Sequence, residues 1–249
     1  MIQKEGNFLF IGVPCQVAAV KTFIAAQFKN KIIKSDMVFA DLVCHGLAPK
    51  KYFNSHLFMI EKKKKKHSDL FFFRDPRFGT SNYFFTIYEN GKLFYKKNVK
   101  SNDLYQIGYH NGIIYRTNCY SCAYSCKERS SDLTLSDFSG LGSIENFNYS
   151  RINVSCVLCN SDKGAKIIGE LNNRICFIKR PLEEAFKEER LLSPTPITKN
   201  RKKFEREYEN TKNFDKSVSR SARFYLFKNF LYNVFLIEKL KKIKRKLLG

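Results

Sequence analysis

The stretch Phe8-Leu-Phe-Ile-Gly-Val-Pro-Cys15 is the strongest indication of the fold class of this chain. Its apolar residues predict a buried strand, and Gly-Val-Pro-Cys predicts a tight turn into a helix that has Pro14 near its first turn. The mostly apolar run Met37–Val43 repeats the pattern, because Cys44-His-Gly and a segment compatible with a helix follow it. Two successive strand–turn–helix units favour a mixed α/β fold with a parallel-sheet core.

Later segments predict additions to this core. Glu89-Asn-Gly-Lys92 predicts an antiparallel hairpin, because Asn-Gly accepts a positive φ at both central positions of the turn. The segment Phe224–Leu248 predicts an amphipathic C-terminal helix with a basic end. We therefore predict two regions: a domain over residues 1–198, and a basic linker with the C-terminal helix over residues 199–249.

The charge of the chain suggests anionic partners. Its formal net charge is +22, and half of the excess lies from residue 199 onward, where 16 Lys and Arg stand against 5 Asp and Glu. Such an excess favours nucleic acid, an acidic membrane surface or a phosphorylated cofactor, whereas a compositional bias toward Lys, Asn and Phe explains it without a partner. The aromatic residues fall mainly in apolar runs, and no RNA-recognition or helix-turn-helix pattern occurs. We therefore expect no nucleic-acid partner.

The two ends of the chain bear on its location. The N-terminus has no signal-peptide pattern, and no apolar run reaches the roughly 18–20 residues that span a bilayer. The apolar stretch Phe224–Ile237 is followed by six cations between Lys239 and Lys246. This arrangement suits a helix on an anionic membrane, whereas a helix docked on the main domain with a solvated basic end is the simpler interpretation. We expect a cytoplasmic protein, with peripheral membrane contact as the alternative.

Four of the eight cysteines define a candidate metal site. Cys15 and Cys44 each follow a predicted strand and precede a helix, so a parallel sheet places both on the edge where ligands gather. Cys119-Tyr-Ser-Cys122 is a C-x-x-C pair whose two thiolates can grip one metal centre. Four thiolates satisfy either a cubane cluster or a structural zinc ion. Disulfides are not expected in a reducing setting.

Several alternatives stay open for these residues. Cys126 extends the pair to C-x2-C-x3-C and is able to replace Cys15 or Cys44 as a ligand. Cys15 and Cys44 are also compatible with plain core packing, which is common for free cysteines. Cys156 and Cys159 form a second C-x-x-C, but their odd spacing on a predicted strand directs them to opposite faces, so core packing is favoured there.

Five ordered motifs resemble the beta subunit family of coenzyme F-420 hydrogenase/dehydrogenase, in particular its bacterial branch associated with polysaccharide biosynthesis. The motifs are Phe10-Ile-Gly-Val-Pro-Cys-Gln16, Leu42-Val-Cys-His-Gly46, Phe73-Arg-Asp-Pro-Arg-Phe-Gly79, Arg116-Thr-Asn-Cys-Tyr-Ser-Cys122 and Ser131-Asp-Leu-Thr-Leu-Ser-Asp-Phe138. The resemblance runs from about residue 7 to about residue 215. Ordered motifs over such a span are specific.

The resemblance implies a redox protein with a [4Fe–4S] cluster and a flavin such as FAD, which exchanges electrons with a flavin or deazaflavin. A flavin takes a hydride pair and a cluster takes single electrons, so the protein holds the two close together and excludes water. The implied cluster ligands are Cys15, Cys44, Cys119 and Cys122. The residues implied to lie near the flavin or the cluster are Gly12, Pro14 and Asp137. No catalytic residue is indicated.

Three departures from the family pattern shape the functional expectation. Family members usually continue well upstream of the Gly-x-Pro-Cys strand, whereas here that strand begins within ten residues of Met1. They usually carry Trp after Asp-Phe, where this chain has Ser139, and Cys126 is unusual. We expect an N-terminally truncated oxidoreductase subunit that works with a redox partner or a missing N-terminal half. The alternative is a non-catalytic binding or assembly protein that keeps a structural metal site.

Overall fold

A computed structural model describes residues 6–28, 35–79, 83–151, 154–171 and 173–233. The strands are β1 Gly6–Gly12, β2 Ser35–Leu42, β3 Leu70–Phe72, β4 Phe85–Glu89, β5 Lys92–Lys97, β6 Leu133–Asp137 and β7 Ser155–Cys159. The helices are α1 Pro14–Gln27, α2 Lys50–Lys64, α3 Leu104–His110, α4 Asp162–Glu170, α5 Leu182–Ala185, α6 Lys199–Thr211, α7 Phe214–Ser221 and α8 Arg223–Asn233. The described residues fall into two compact units. The first unit lies within Met1–His45 and Ser121–Thr195, and the second within Gly46–Tyr120 and Pro196–Gly249.

The first unit contains a four-stranded sheet in the order β1-β2-β6-β7. β1 pairs with β2 and β2 with β6 in parallel, and β7 adds an antiparallel strand beside β6. Helix α1 begins with Pro14, and its Val17 and Ile24 are buried together with Phe39 of β2. The predicted mixed α/β fold with a parallel core is therefore confirmed.

The second unit contains the antiparallel sheet β3-β4-β5. The β4–β5 hairpin turns at Asn90 and Gly91, whose φ angles of 48° and 72° are the two positive values that the Asn-Gly pair predicted. Residues of this sheet and of α2, α3, α6 and α7 share one core, in which Phe85, Phe204 and Phe214 are completely buried. The added hairpin is therefore confirmed.

A buried, charged histidine joins three helices of the second unit. His56 on α2 places Nδ1 2.7 Å from Oδ1 of Asp215 on α7, and Nε2 3.0 Å from Oδ2 of Asp103, the N-cap of α3. The Tyr95 hydroxyl donates to the same Asp103 oxygen at 2.7 Å. Burial alone would lower the pKa of His56, but the hydrogen bonds and charges of the two aspartates outweigh it and raise the pKa to about 9. His56 is therefore protonated at neutral pH and donates to both carboxylates.

The C-terminal region is described only in part. The domain boundary predicted at residue 198 stays a prediction; α6 begins at Lys199, and its Phe204 is fully buried in the core of the second unit. The first part of the predicted C-terminal helix is α8, and its basic end, from residue 234 onward, lies outside the described residues. Among the residues that the structure describes, no helix combines the length and the apolar character that crossing a membrane requires.

Candidate functional site

Two of the predicted ligands follow neighbouring strands at the same offset. Gly12 at the end of β1 is the register partner of Asp41 in β2. Cys15 comes three residues after Gly12, and Cys44 comes three residues after Asp41. Because β1 and β2 are parallel, both cysteines follow the carboxyl edge of the sheet. Cys15 is the second residue of α1 and is exposed, whereas Cys44 is half-buried.

The turn between β1 and α1 accounts for the residues around Cys15. The side chain of Gln16 folds back, and its Oε1 accepts the Val13 N–H at 3.1 Å. A Cβ atom on Gly12 would lie only 3.1 Å from that oxygen, so the turn itself favours glycine there. Pro14 is buried at the first position of α1, where a missing N–H costs nothing. Gly12 and Pro14 therefore shape the edge of the sheet beside Cys15.

The segment Ser121–Asp132, here named the cysteine loop, carries Cys122 and Cys126 in the first unit. Its centre is fixed by Ser125, whose buried Oγ lies 2.7 Å from the carbonyl oxygen of Arg190 and 2.9 Å from that of Ser193. A serine hydroxyl held between two carbonyl oxygens restrains the loop from the side of residues 190–193.

The thiols of Cys119 and Cys126 make hydrogen bonds of opposite direction. The backbone N–H of Leu47 donates to Sγ of Cys119 over an N···S distance of 3.5 Å. Sγ of Cys126 instead donates toward the carbonyl oxygens of Ala123 and Glu128, at 3.4 Å and 3.2 Å. Donation requires an S–H group. Cys119 is therefore arranged as an acceptor, as a metal ligand needs, whereas Cys126 closes its own turn as a thiol.

The loop after β6 starts at the same edge of the sheet. Asp137 ends β6 and is exposed. The loop that follows is fixed by the fully buried Glu184, whose Oε1 accepts the N–H groups of Ile144 and Glu145 at 3.1 Å each. Arg180 pairs with Glu184 at 2.7 Å, and this contact, together with the N–H donors, lowers the pKa of Glu184 to about 2. The loop is therefore held by a carboxylate that stays ionised.

The second C-x-x-C pair divides between the two faces of β7. Cys156 is 5% exposed and packs in a small core of the first unit, whereas Cys159 is exposed. Burial raises the pKa of both thiols. The predicted opposite orientation is confirmed. The prediction of core packing is confirmed for Cys156 and wrong for Cys159, because the strand turns that side chain away from the core.

The four predicted ligands supply the donors of a cluster but are not a ready-made metal site. Cys15, Cys44 and Cys122 lie in the first unit, and Cys119 lies in the second. Within the described ranges, no three His, Cys, Asp or Glu side chains are grouped so that they could hold a metal ion. All four thiols are at least partly exposed, and the structure shows no disulfide among the eight cysteines. The set fits a cluster by donor type, and the four-cysteine site stays a prediction.

Comparison with known proteins identifies the family. The family described as the C terminus of the coenzyme F420 hydrogenase/dehydrogenase beta subunit matches residues 6–185, so the chain belongs to this redox family. The family predicted from the motifs is confirmed, whereas the polysaccharide-associated branch and the N-terminal truncation stay predictions. Among solved structures, the F420-reducing [NiFe] hydrogenase complex from Methanosarcina barkeri is similar, with 16% sequence identity and a TM-score of 0.39. The match covers 81% of this chain and 62% of that chain, so this chain spans less than two thirds of it. No curated protein sequence matches.

Sequence reasoning missed a buried ion pair beside the predicted ligands. Asp41 is completely buried in β2, and Arg129 of the cysteine loop pairs with it at 2.9 Å. A single acidic residue inside the apolar run of β2 was the available signal, because a buried carboxylate requires a partner. The partner itself lies 88 residues away in the sequence, and no local pattern identifies it.

Proposed function

We propose that this chain is the iron–sulfur subunit of an oxidoreductase, in which a [4Fe–4S] cluster exchanges electrons with a flavin or deazaflavin. The observation that carries the proposal is family membership over residues 6–185, together with the equal offset of two cysteines from β1 and β2. The proposed cluster ligands are Cys15, Cys44, Cys119 and Cys122. A link to polysaccharide biosynthesis is part of the proposal through the motif resemblance alone.

The residues around the proposed ligands have separate roles. The cluster itself supplies one-electron chemistry. The Leu47 N–H stabilises negative charge on the Cys119 sulfur, and hydrogen bonds to cluster sulfurs raise the reduction potential. Cys15 lies in the first turn of α1, where the helix dipole favours a thiolate. Cys126 is not a ligand in this proposal, because its thiol serves its own turn.

The flavin is proposed from the family resemblance. Asp137 marks the end of β6 at the edge of the sheet that Cys15 and Cys44 also follow. Gly12 and Pro14 contribute by shaping that edge, since their own packing already accounts for their identity. We propose FAD as the bound form and assign no catalytic residue.

The proposal includes a redox partner. A carrier of single electrons needs a donor and an acceptor, so we propose that a separate redox protein, or an N-terminal half of this one, completes the electron path. The protein is proposed to act in the cytoplasm.

A peripheral membrane contact is proposed for the C-terminal helix. Phe224 and Phe227 of α8 are 70% and 59% exposed, and the six cations between Lys239 and Lys246 follow in the sequence. An apolar face combined with cations suits an anionic bilayer. Co-sedimentation with anionic but not neutral vesicles would support the contact, and no sedimentation with either would remove it.

Iron analysis of anaerobically purified protein tests the cluster. We expect about four irons per chain and broad absorption near about 400 nm, as for a thiolate-bound cubane cluster. Cys119→Ser should lose the iron, whereas Cys126→Ser should keep it. Cys156→Ser is the matched control, because that thiol is buried in a core of the first unit.

The outcomes separate the two candidate functions. Iron in the wild type that is lost in Cys119→Ser and kept in Cys126→Ser supports the redox proposal, and flavin bands in the same spectrum support FAD. Zinc in place of iron points to the alternative, a non-catalytic binding or assembly protein with a structural metal site. Colourless protein without iron after anaerobic reconstitution overturns the cluster.

A further inference from the structure

The cysteine loop is attached to the central strand of the first sheet through one buried arginine. Nη2 of Arg129 donates to Oδ1 of Asp41 at 2.9 Å, and Nη1 donates to the carbonyl oxygen of Tyr124 at 3.0 Å. Tyr124 lies midway between Cys122 and Cys126. The Arg129 side chain is 1% exposed and Asp41 is completely buried, so their ion pair is shielded from water.

Asp41 is a rigid anchor because its strand is paired on both sides. Its register partners are Gly12 in β1 and Thr134 in β6. Cys44 follows it by three residues. A contact to Asp41 therefore ties the cysteine loop to the strand that leads into another proposed ligand.

Arg129 divides its hydrogen bonds between the Asp41 carboxylate and the cysteine loop, instead of binding the carboxylate with two parallel bonds. An arginine can bind a carboxylate through two parallel hydrogen bonds. Here Nε of Arg129 and Oδ2 of Asp41 are buried without a hydrogen-bond partner among the described residues. The guanidinium thus makes one bond to the carboxylate and uses a second arm for the Tyr124 carbonyl. Lysine has a single ammonium group, which cannot reproduce the planar fork.

Two further contacts continue this attachment along the chain. Nζ of Lys21 on α1 donates to the carbonyl oxygen of Ser130 at 2.7 Å. Oδ2 of Asp132 accepts the N–H of Phe39 in β2 at 2.9 Å. The segment from Arg129 to β6 is therefore fixed to α1 and β2, which leaves the part of the loop around Cys122 dependent on Arg129 and on Ser125.

We infer that Arg129 is a positioning residue, which acts through the Tyr124 carbonyl to hold Cys122 on the Cys44 side of the sheet before any metal binds. The inference rests on the proposed function for its cluster, although the loop attachment itself does not require metal. Partners one step removed from metal ligands typically change metal affinity by about 10- to 100-fold when they are replaced.

Arg129→Lys tests this role, because it keeps the charge and loses the fork. We expect iron release to a chelator from the folded variant to be about 10- to 100-fold faster than from the wild type. Arg180→Lys is the matched control. Arg180 is likewise a largely buried arginine of the first unit, and it pairs with the Glu184 carboxylate and with the carbonyl oxygen of Asn146. These partners lie outside the cysteine loop. Equal release from both variants would mean general loosening of the unit and would overturn the role.

A second readout is independent of the cluster. In metal-free protein, we expect alkylation of Cys122, followed by mass spectrometry, to be several-fold faster in Arg129→Lys than in wild type or Arg180→Lys. If the wild type binds no iron, the proposed function fails, and the alkylation of Cys122 alone decides whether Arg129 is a positioning residue. Equal alkylation rates in Arg129→Lys and the wild type reject that role. If Arg129→Lys does not fold, the double variant Asp41→Asn/Arg129→Gln removes both charges and should show the same acceleration.

Discussion

Replacement of His56 by glutamine tests the buried imidazolium of the second unit. In the folded chain, His56 bridges Asp103 and Asp215, and its pKa rises from 6.5 to about 9. At 1.36 kcal/mol per pKa unit, this rise corresponds to about 3 kcal/mol of folding free energy. The variant removes that contribution and leaves both carboxylates without a cationic partner.

The direction of the pKa shift sets the direction of the pH effect. The folded state binds the His56 proton more tightly than the unfolded state does, so the stabilisation is fully present below pH 6.5. It decreases as the pH rises and is lost above about pH 9. Between these limits, we expect the free energy of unfolding to fall by about 3 kcal/mol more in the wild type than in His56→Gln.

Urea unfolding followed by far-ultraviolet circular dichroism at a series of pH values measures this difference, since the chain has no tryptophan. Cysteine thiols also titrate in this range, but they are common to both proteins and cancel in the comparison. His67→Gln is the matched control, because the His67 side chain is 87% exposed, and its profile should follow the wild type. Parallel profiles of the wild type and His56→Gln would refute the buried bridge.

Two further substitutions, one within each unit, test local contacts. Gly46→Ala should lower the free energy of unfolding by more than about 1 kcal/mol, because φ is 137° and a Cβ atom would lie 2.4 Å from the Tyr115 ring. Gly169→Ala, where nothing lies within 4 Å, is its control in thermal melts, and equal melting temperatures would contradict the expectation. Glu184→Gln should speed hydrogen exchange at the amide of Ile144, because the Glu184 carboxylate accepts that N–H. An unchanged exchange rate would mean that other contacts hold the loop after β6.

Local sequence patterns predicted the elements correctly where neighbouring residues decide the geometry. The strand and turn before Pro14 gave β1 and α1, because a proline at the first helical position needs no N–H. Asn90 and Gly91 gave the hairpin, because both accept a positive φ. The alternation of Cys156 and Cys159 followed from the period of a strand.

The candidate site was predictable only in part. The equal positions of Cys15 and Cys44 after two parallel strands followed from the repeated pattern. Whether Cys126 replaces Cys15 or Cys44 as a ligand did not, because the C-x2-C-x3-C spacing permits it; in the fold the Cys126 thiol donates to the carbonyl oxygens of Ala123 and Glu128. The four-cysteine site as a whole stays a prediction.

Sequence patterns alone were enough for the strand–turn–helix units, the hairpin and the family, because each depends on residues that are close together or on motifs in a fixed order. Which buried charges meet became apparent only from the three-dimensional fold. Asp41 and Arg129 are 88 residues apart, and His56 and Asp215 are 159 apart. A charged residue within an apolar run predicts that a buried partner is needed. The tertiary structure decides which residue is that partner, because contacts between distant residues depend on how the helices and strands pack.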